Sequence, residues 1–316
     1  MGTLSFGSEM KNQFTRRDFL KISSQTGVIF AGLGWLSQPG AKAVEPIKRS
    51  GQPRLQLSLA AYSFRQYFTH KDPAKQITLD DFVDFCADHG CAGTELTSYY
   101  FPKGFGDDYL IQLKRHAFMR GIAISGSAVG NNFVLSKPTD RAEQIALVKK
   151  WVDHCAVLGA PHIRVFAGPA QDKDIPAAKK LCIEALEECG DYAGKHGVFL
   201  GLENHGGIVA EPADILEIIR AVKSPWIGIN LDTGNFHTDD PYADLAQCAP
   251  YAVNVQFKAE IMRRGQKKET ADLARVVKIL RDANYQGYFA LEYEADEDPW
   301  QAVPQWLEKM KAALAG

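Results

Sequence analysis

The chain has 316 residues, with 36 Lys and Arg against 38 Asp and Glu and a formal net charge of −2. That balance provides no basic surface for nucleic acid or an anionic membrane. With 46 % hydrophobic residues it can bury a large core, and about 250 residues suffice for one eight-stranded α/β barrel.

The amino terminus stands apart. Thr15-Arg16-Arg17-Asp18-Phe19-Leu20-Lys21 resembles the twin-arginine export signal. The apolar stretch from Ile22 to Leu36 is broken by Gly27, Gly32 and Gly34, and is too short and glycine-rich for a good membrane span. Ala41-Lys42-Ala43 then has the form of a cleavage site, although an uncleaved anchor is the alternative. Residues 1–43 are therefore expected to be a removed signal peptide, 44–54 a linker and 55–316 a single catalytic domain. The expected partner is the twin-arginine export machinery, the expected location periplasmic or otherwise exported, with no stable membrane association. Such signals carry folded proteins, often with a cofactor in place, which suits a metal enzyme.

Past a Pro/Gly stretch at Ser50–Pro53, eight short apolar runs alternate with amphipathic segments. Strands are expected at 55–64, 93–99, 122–129, 162–167, 198–205, 227–232, 252–258 and 287–293. Between them, apolar residues recur at helical spacing, as in Phe82, Val83, Phe85 and Cys86 or in Ile145, Val148, Val152 and Cys155. Repeated strand-then-helix units predict a parallel sheet closed as a (β/α)8 TIM barrel. The six cysteines show no CxxC or zinc spacing and read as buried thiols packing as small hydrophobes, with a Cys86–Cys91 bridge left open.

Four polar residues end four successive strands: Glu203 in FLGLENHGG, Asp232 in IGINLDTGN, Gln256 in VNVQFKAE and Glu292 in YFALEYE. Alternation along a strand sorts faces. Val253, Val255 and Phe257 oppose Asn254, Gln256, Lys258 and Glu260; Ile229 and Leu231 oppose Asn230 and Asp232; Phe289, Leu291 and Tyr293 oppose Glu292 and Glu294. The apolar faces must pack under helices, so the polar faces point into the barrel. Barrel interiors are normally filled with Val, Ile and Leu, and burying carboxylates there costs several kcal/mol per ion, on the order of 5, unless they are paired or metal-bound. Three converging carboxylates and an amide thus point to a divalent cation at the barrel mouth.

The motifs LENHGG, LDTGN, VQFKAE and ALEYE together resemble the sugar phosphate isomerase/epimerase family, xylose-isomerase-like barrels, over roughly Leu55 to Leu314. The resemblance implies one divalent ion held by Glu203, Asp232, Gln256 and Glu292, with Gln256 standing where the family commonly has His. An all-oxygen set favours a hard ion, Mn²⁺ or Mg²⁺, over zinc. It also implies that Glu203 and Glu292 remove and return a proton alpha to the carbonyl of a sugar or keto-sugar, as an isomerase or epimerase does.

Candidate substrate-binding residues are His205, Lys258, Arg164, Glu95 and Asn235, with Tyr62, Phe64 and Tyr99 to Phe101 as an apolar wall. Asn235 stands where other branches of the family place a metal-binding His; His237 carries less weight. Glu95 either binds sugar hydroxyls or pairs with Arg164, and Lys258 either faces substrate or pairs with Glu260 or Glu292. Two other activities share the framework: a keto-sugar or keto-glycoside lyase or hydratase using the same metal and base, and a sugar-binding barrel without catalysis. A homo-oligomer is compatible with the family.

Overall fold

The computed structural model describes residues 44–170 and 174–315; the signal sequence expected over 1–43 lies outside the described residues. The strands in chain order are β1 (Arg54–Ala60), β2 (Gly93–Thr97), β3 (Ala123–Ala128), β4 (His162–Val165), β5 (Phe199–Glu203), β6 (Ile227–Asp232), β7 (Ala252–Phe257), β8 (Glu260–Met262), β9 (Lys268–Thr270) and β10 (Gln286–Leu291). Eight of them close a barrel in the order β1-β10-β7-β6-β5-β4-β3-β2, and every neighbouring pair is parallel. This is the expected TIM barrel. Seven of the eight barrel strands end earlier than the apolar runs suggested, while the one at 227–232 ends where expected. The first stops at Ala60 because the chain turns into a 3-10 helix, Ala61–Phe64, that delivers Phe64 into an outer ring cluster with Phe82, Phe85 and Trp300.

Each barrel strand feeds a helix whose start is written locally. Thr78 and Asp81 form a reciprocal capping box for Leu79–Asp88, and Asp174 caps Ile175–Lys195. Pro138, Pro176, Pro212 and Pro241 occupy first helical turns, where a missing N–H costs nothing. The helices cover the outward strand faces: Phe257 meets Phe289 and Trp306 there, and Ile229, Leu231 and Val255 are fully buried. Among the described residues no helix is long and apolar enough to cross a membrane.

Two features depart from the sequence reading. The expected linker is a strap docked on the barrel: Val44 and Ile47 donate backbone hydrogen bonds to Val222 and Pro250, and Arg49 Nη2 donates to the Ala252 carbonyl at 2.6 Å. The antiparallel β8–β9 hairpin, unanticipated, extends from β7 and places Ile261 and Met262 beside the mouth. All six cysteines are free and buried, so Cys86 and Cys91 are not bridged.

Inside the barrel the packing is polar from the floor upward. Ser58 and Ser125 share a hydrogen bond of 2.7 Å, and His162 lies across β3, where a Cβ at Gly126 would stand 1.9 Å from its ring. Only glycine admits that imidazole. Above it, Asn254 donates to Glu95 and to Asn230, Asn230 donates to Gln256, and Gln256 donates to Glu95 at 2.6 Å. This closed ring of three amides around one carboxylate satisfies buried groups that would otherwise destabilise the core.

Candidate active site

β5, β6 and β10 bring Glu203, Asp232 and Glu292 to one mouth, each nearly inaccessible to solvent. Two protein cations hold them. Arg164 Nε lies 2.8 Å from Glu203 Oε2, while its Nη1 donates to the Val129 carbonyl. Lys258 Nζ contacts Glu294 and lies 3.3 Å from Asp232 Oδ2 and 3.5 Å from Glu292 Oε2. Its partners are therefore Asp232, Glu292 and Glu294, whereas Glu260 pairs with Lys268. Asn235 bridges the two halves, donating to Glu203 Oε1 at 2.9 Å and accepting from Lys258.

Burial dominates the proton affinities. It pushes the Glu203, Asp232 and Glu292 carboxyls up to about 7, Arg164 or Lys258 opposing and neighbouring carboxylates adding to the rise. Lys258 is held well above the usual lysine value: burial disfavours its charge, but Asp232, Glu292, Glu294 and Glu203 together outweigh it. Burial brings His162 down to about 4, so its ring is neutral, with Nδ1–H donating to the Ser125 carbonyl at 2.9 Å.

The remaining sequence candidates fall into distinct places. Glu95 lies below the cluster, fully buried in the amide ring, its carboxyl pushed up to about 7 by burial and then by Glu292. Gln256 reaches the mouth, but its oxygen accepts from Asn230 and its NH₂ faces Glu95 and, at 3.4 Å, Glu292. His205 is exposed at the rim, its ring 4.6 Å from that of Phe166. His237 is exposed and lines a polar cavity with Asn235 and Lys258. The expected aromatic wall is corrected in part: Phe64 and Phe101 turn outward into ring clusters, as helical packing demands, while Tyr99 lies edge-on against Tyr100.

Sequence reasoning missed three contributors. Phe166 stands two residues beyond Arg164, hence on the same face, and its ring lies 3.9 Å from the guanidinium carbon. Asn204 clamps β5 to β6 by donating to the Asp232 carbonyl and accepting the Asp232 N–H, fixing that carboxylate's backbone. Ser63 ties the end of β1 to β10 through Leu291 and Tyr293. Strand parity could have found Phe166; nothing local signals the other two.

The donor chemistry suits a hard divalent cation. Asp232 Oδ2 is buried without a hydrogen-bond donor, and the three carboxylates present oxygen ligands that already require positive charge among them. They are not arranged as a ready coordination shell: among the described residues no group of three or more His, Cys, Asp or Glu is so placed. Lys258 stands between Asp232 and Glu292, and Arg164 draws Glu203 aside.

Comparison with known proteins agrees with this architecture. The structure resembles D-psicose 3-epimerase solved in the presence of D-fructose (15 % identity, 83 % of this chain and 97 % of that one, TM-score 0.66). It likewise resembles 3-keto-D-glucoside 4-epimerase, YcjR, from E. coli (16 %, 82 % and 100 %, TM-score 0.65). A third likeness is to the IOLI protein with a binding zinc atom (18 %, 82 % and 96 %, TM-score 0.65). No curated protein matches in sequence. Residues 83–310 match the xylose isomerase-like TIM barrel family, and the chain belongs to it.

Proposed function

We propose that this barrel is an exported sugar isomerase or epimerase that moves a proton on the carbon next to a carbonyl. The observation that carries the reading is the meeting of Glu203, Asp232 and Glu292 at the barrel mouth with Lys258 and Arg164 between and beside them. The epimerases among the structural neighbours support it.

Glu203 ends β5 and Glu292 directly follows β10, strands separated around the barrel by β6 and β7. Carboxyls raised to about 7 suit one group as base and the other as acid at neutral pH. In the proposed cycle one removes the alpha proton and the other returns it from the opposite face. Asn235 donates to one oxygen of Glu203 and Arg164 pairs ionically with the other at 2.8 Å, which positions the carboxylate. Lys258 offers its ammonium to the developing enolate oxygen. Glu203, Asp232 and Glu292 would hold a divalent ion such as Mn²⁺ or Mg²⁺ if Lys258 and Arg164 withdrew from among them, with Gln256 joining if its amide turned, and the ion would supply polarisation of the substrate carbonyl. The zinc atom bound in the IOLI protein supports such an ion.

The test is incubation of ketoses and keto-glycosides with Mn²⁺-loaded protein in deuterated water. Deuterium at the carbon next to the carbonyl, with conversion to the epimer, is the expected result. Loss of a beta substituent would instead identify a lyase, and no exchange with any of them would leave a barrel that only binds sugars.

A further inference from the structure

We infer that the substrate is a keto-glycoside, a glycoside carrying a ketone on its sugar ring, whose flat, apolar-faced aglycone ring occupies a second cavity beside the mouth. The inference rests on the reading of the mouth as a sugar site and extends it to the substrate class.

Two cavities open near Glu203: one is lined by its partner Asn235, the other by Phe166, which lies against its partner Arg164. The more polar one, about 190 Å³, lies over β6, β7 and β10, where Asn235, Lys258 and Glu294 line it together with Ile261 and Met262 of the β8–β9 hairpin. The other, about 380 Å³, lies over β3, β4 and β5, with Phe166, Ala167, Pro169, His205 and Val209 among its walls. Ligand pockets ordinarily span about 300–1,000 Å³, so the polar cavity alone is small for a whole substrate. Glu203 links them through these partners without lining either. Asn235 of the polar cavity holds its Oε1, and Arg164 holds its Oε2 while lying against the ring of Phe166 in the apolar cavity. A substrate whose reacting carbon sits at Glu203 thus has a polar side and an apolar side to fill.

The apolar cavity is preformed. Asn131, itself buried, accepts the Phe166 N–H at 2.9 Å and donates to the Phe166 carbonyl at 2.8 Å, which pins the aromatic residue's backbone. Asn132 donates to the Pro169 carbonyl and accepts the Val134 N–H, fixing the loop that bears Pro169. Tilted rings of Phe166 and His205 give a surface on which a ring stacks face-on or edge-on. A free monosaccharide, polar all round its edge, would leave these apolar walls against water, whereas an aglycone ring removes them from it.

The experiment compares matched phenyl and methyl β-glycosides of glucose, galactose, mannose and xylose, each oxidised to a ketone on the sugar ring, titrated calorimetrically into the wild-type protein and Phe166→Leu. For the best-bound sugar the phenyl glycoside should bind about tenfold more tightly than the methyl one, and Phe166→Leu should cut that advantage to about threefold or less. A phenyl advantage below about threefold for all four sugars, or no binding of any of them, overturns the inference from the wild-type data alone. So does an advantage that Phe166→Leu leaves intact. Deuterium exchange into simple ketoses with no phenyl advantage would sink the aglycone cavity and spare the isomerase; a phenyl advantage without exchange in any substrate would do the reverse.

Discussion

Replacing Lys258 with Met removes the ammonium from among three carboxylates while keeping an unbranched side chain one atom shorter. At separations of 3.3 Å to Asp232 and 3.5 Å to Glu292, each attraction is about 5 kcal/mol at an effective dielectric of about 20. Lost hydration of the ammonium offsets much of this, and breaking a buried pair leaves a net cost of about 3–5 kcal/mol. For a domain of this size 1 kcal/mol is worth about 2 °C, so the melting temperature at pH 8 should fall by roughly 6–10 °C. At pH 5.5 the loss should shrink, because carboxyls raised to about 7 take up protons and no longer need the cation. Added Mn²⁺ should restore more stability to the variant at pH 8 than to the wild type. Differential scanning calorimetry at both pH values reads all three effects. A melting temperature at pH 8 within 2 °C of wild type, about 1 kcal/mol, would refute the reasoning, as would a larger loss at pH 5.5.

In the metal-free protein the same carboxyls set a pH dependence. Their folded values, near 7, exceed the unfolded ones, so the folded state binds more protons, and stability should fall as pH rises from about 4.5 to about 7. Urea titrations across that range should show the midpoint decreasing; a rise would contradict the burial argument. Nitrogen NMR should find His162 neutral, protonated on Nδ1, at pH 6, and an imidazolium there would be a contrary result. Arg49→Ala, which cuts the strap's bond to Ala252, should cost about 1–2 kcal/mol in urea unfolding, and no change would mean the strap is energetically idle.

How much of this was legible in the sequence depends on range. Strand parity requires only a period of two, so the inward set Asn230, Asp232, Asn254, Gln256 and Glu292 could be read directly. What parity cannot say is how an amide turns once inside. The Gln256 orientation is decided by Asn230 and by Glu95, the latter 161 residues away in sequence, and no local pattern encodes that partner. Phe64 and Phe166 make the complementary case. Both follow strands, but Phe64 comes after a helical turn that rotates it outward, whereas Phe166 continues the inward alternation of Arg164. The Pro and Gly residues of the strap report only local conformation, while the hydrogen bonds that dock it come from distant positions: Val222, Pro250, Ala252, Asn284 and Gln286.

The central claim is that Glu203 and Glu292 work from opposite faces of one carbon. Single variants Glu203→Gln and Glu292→Gln, each given both epimers of an accepted substrate in deuterated water, test it most directly. Each variant should lose interconversion by about 10²-fold or more, yet still wash deuterium into one epimer, a different one for each variant. Interconversion at the wild-type rate in either variant, or exchange confined to the same epimer in both, would contradict the account.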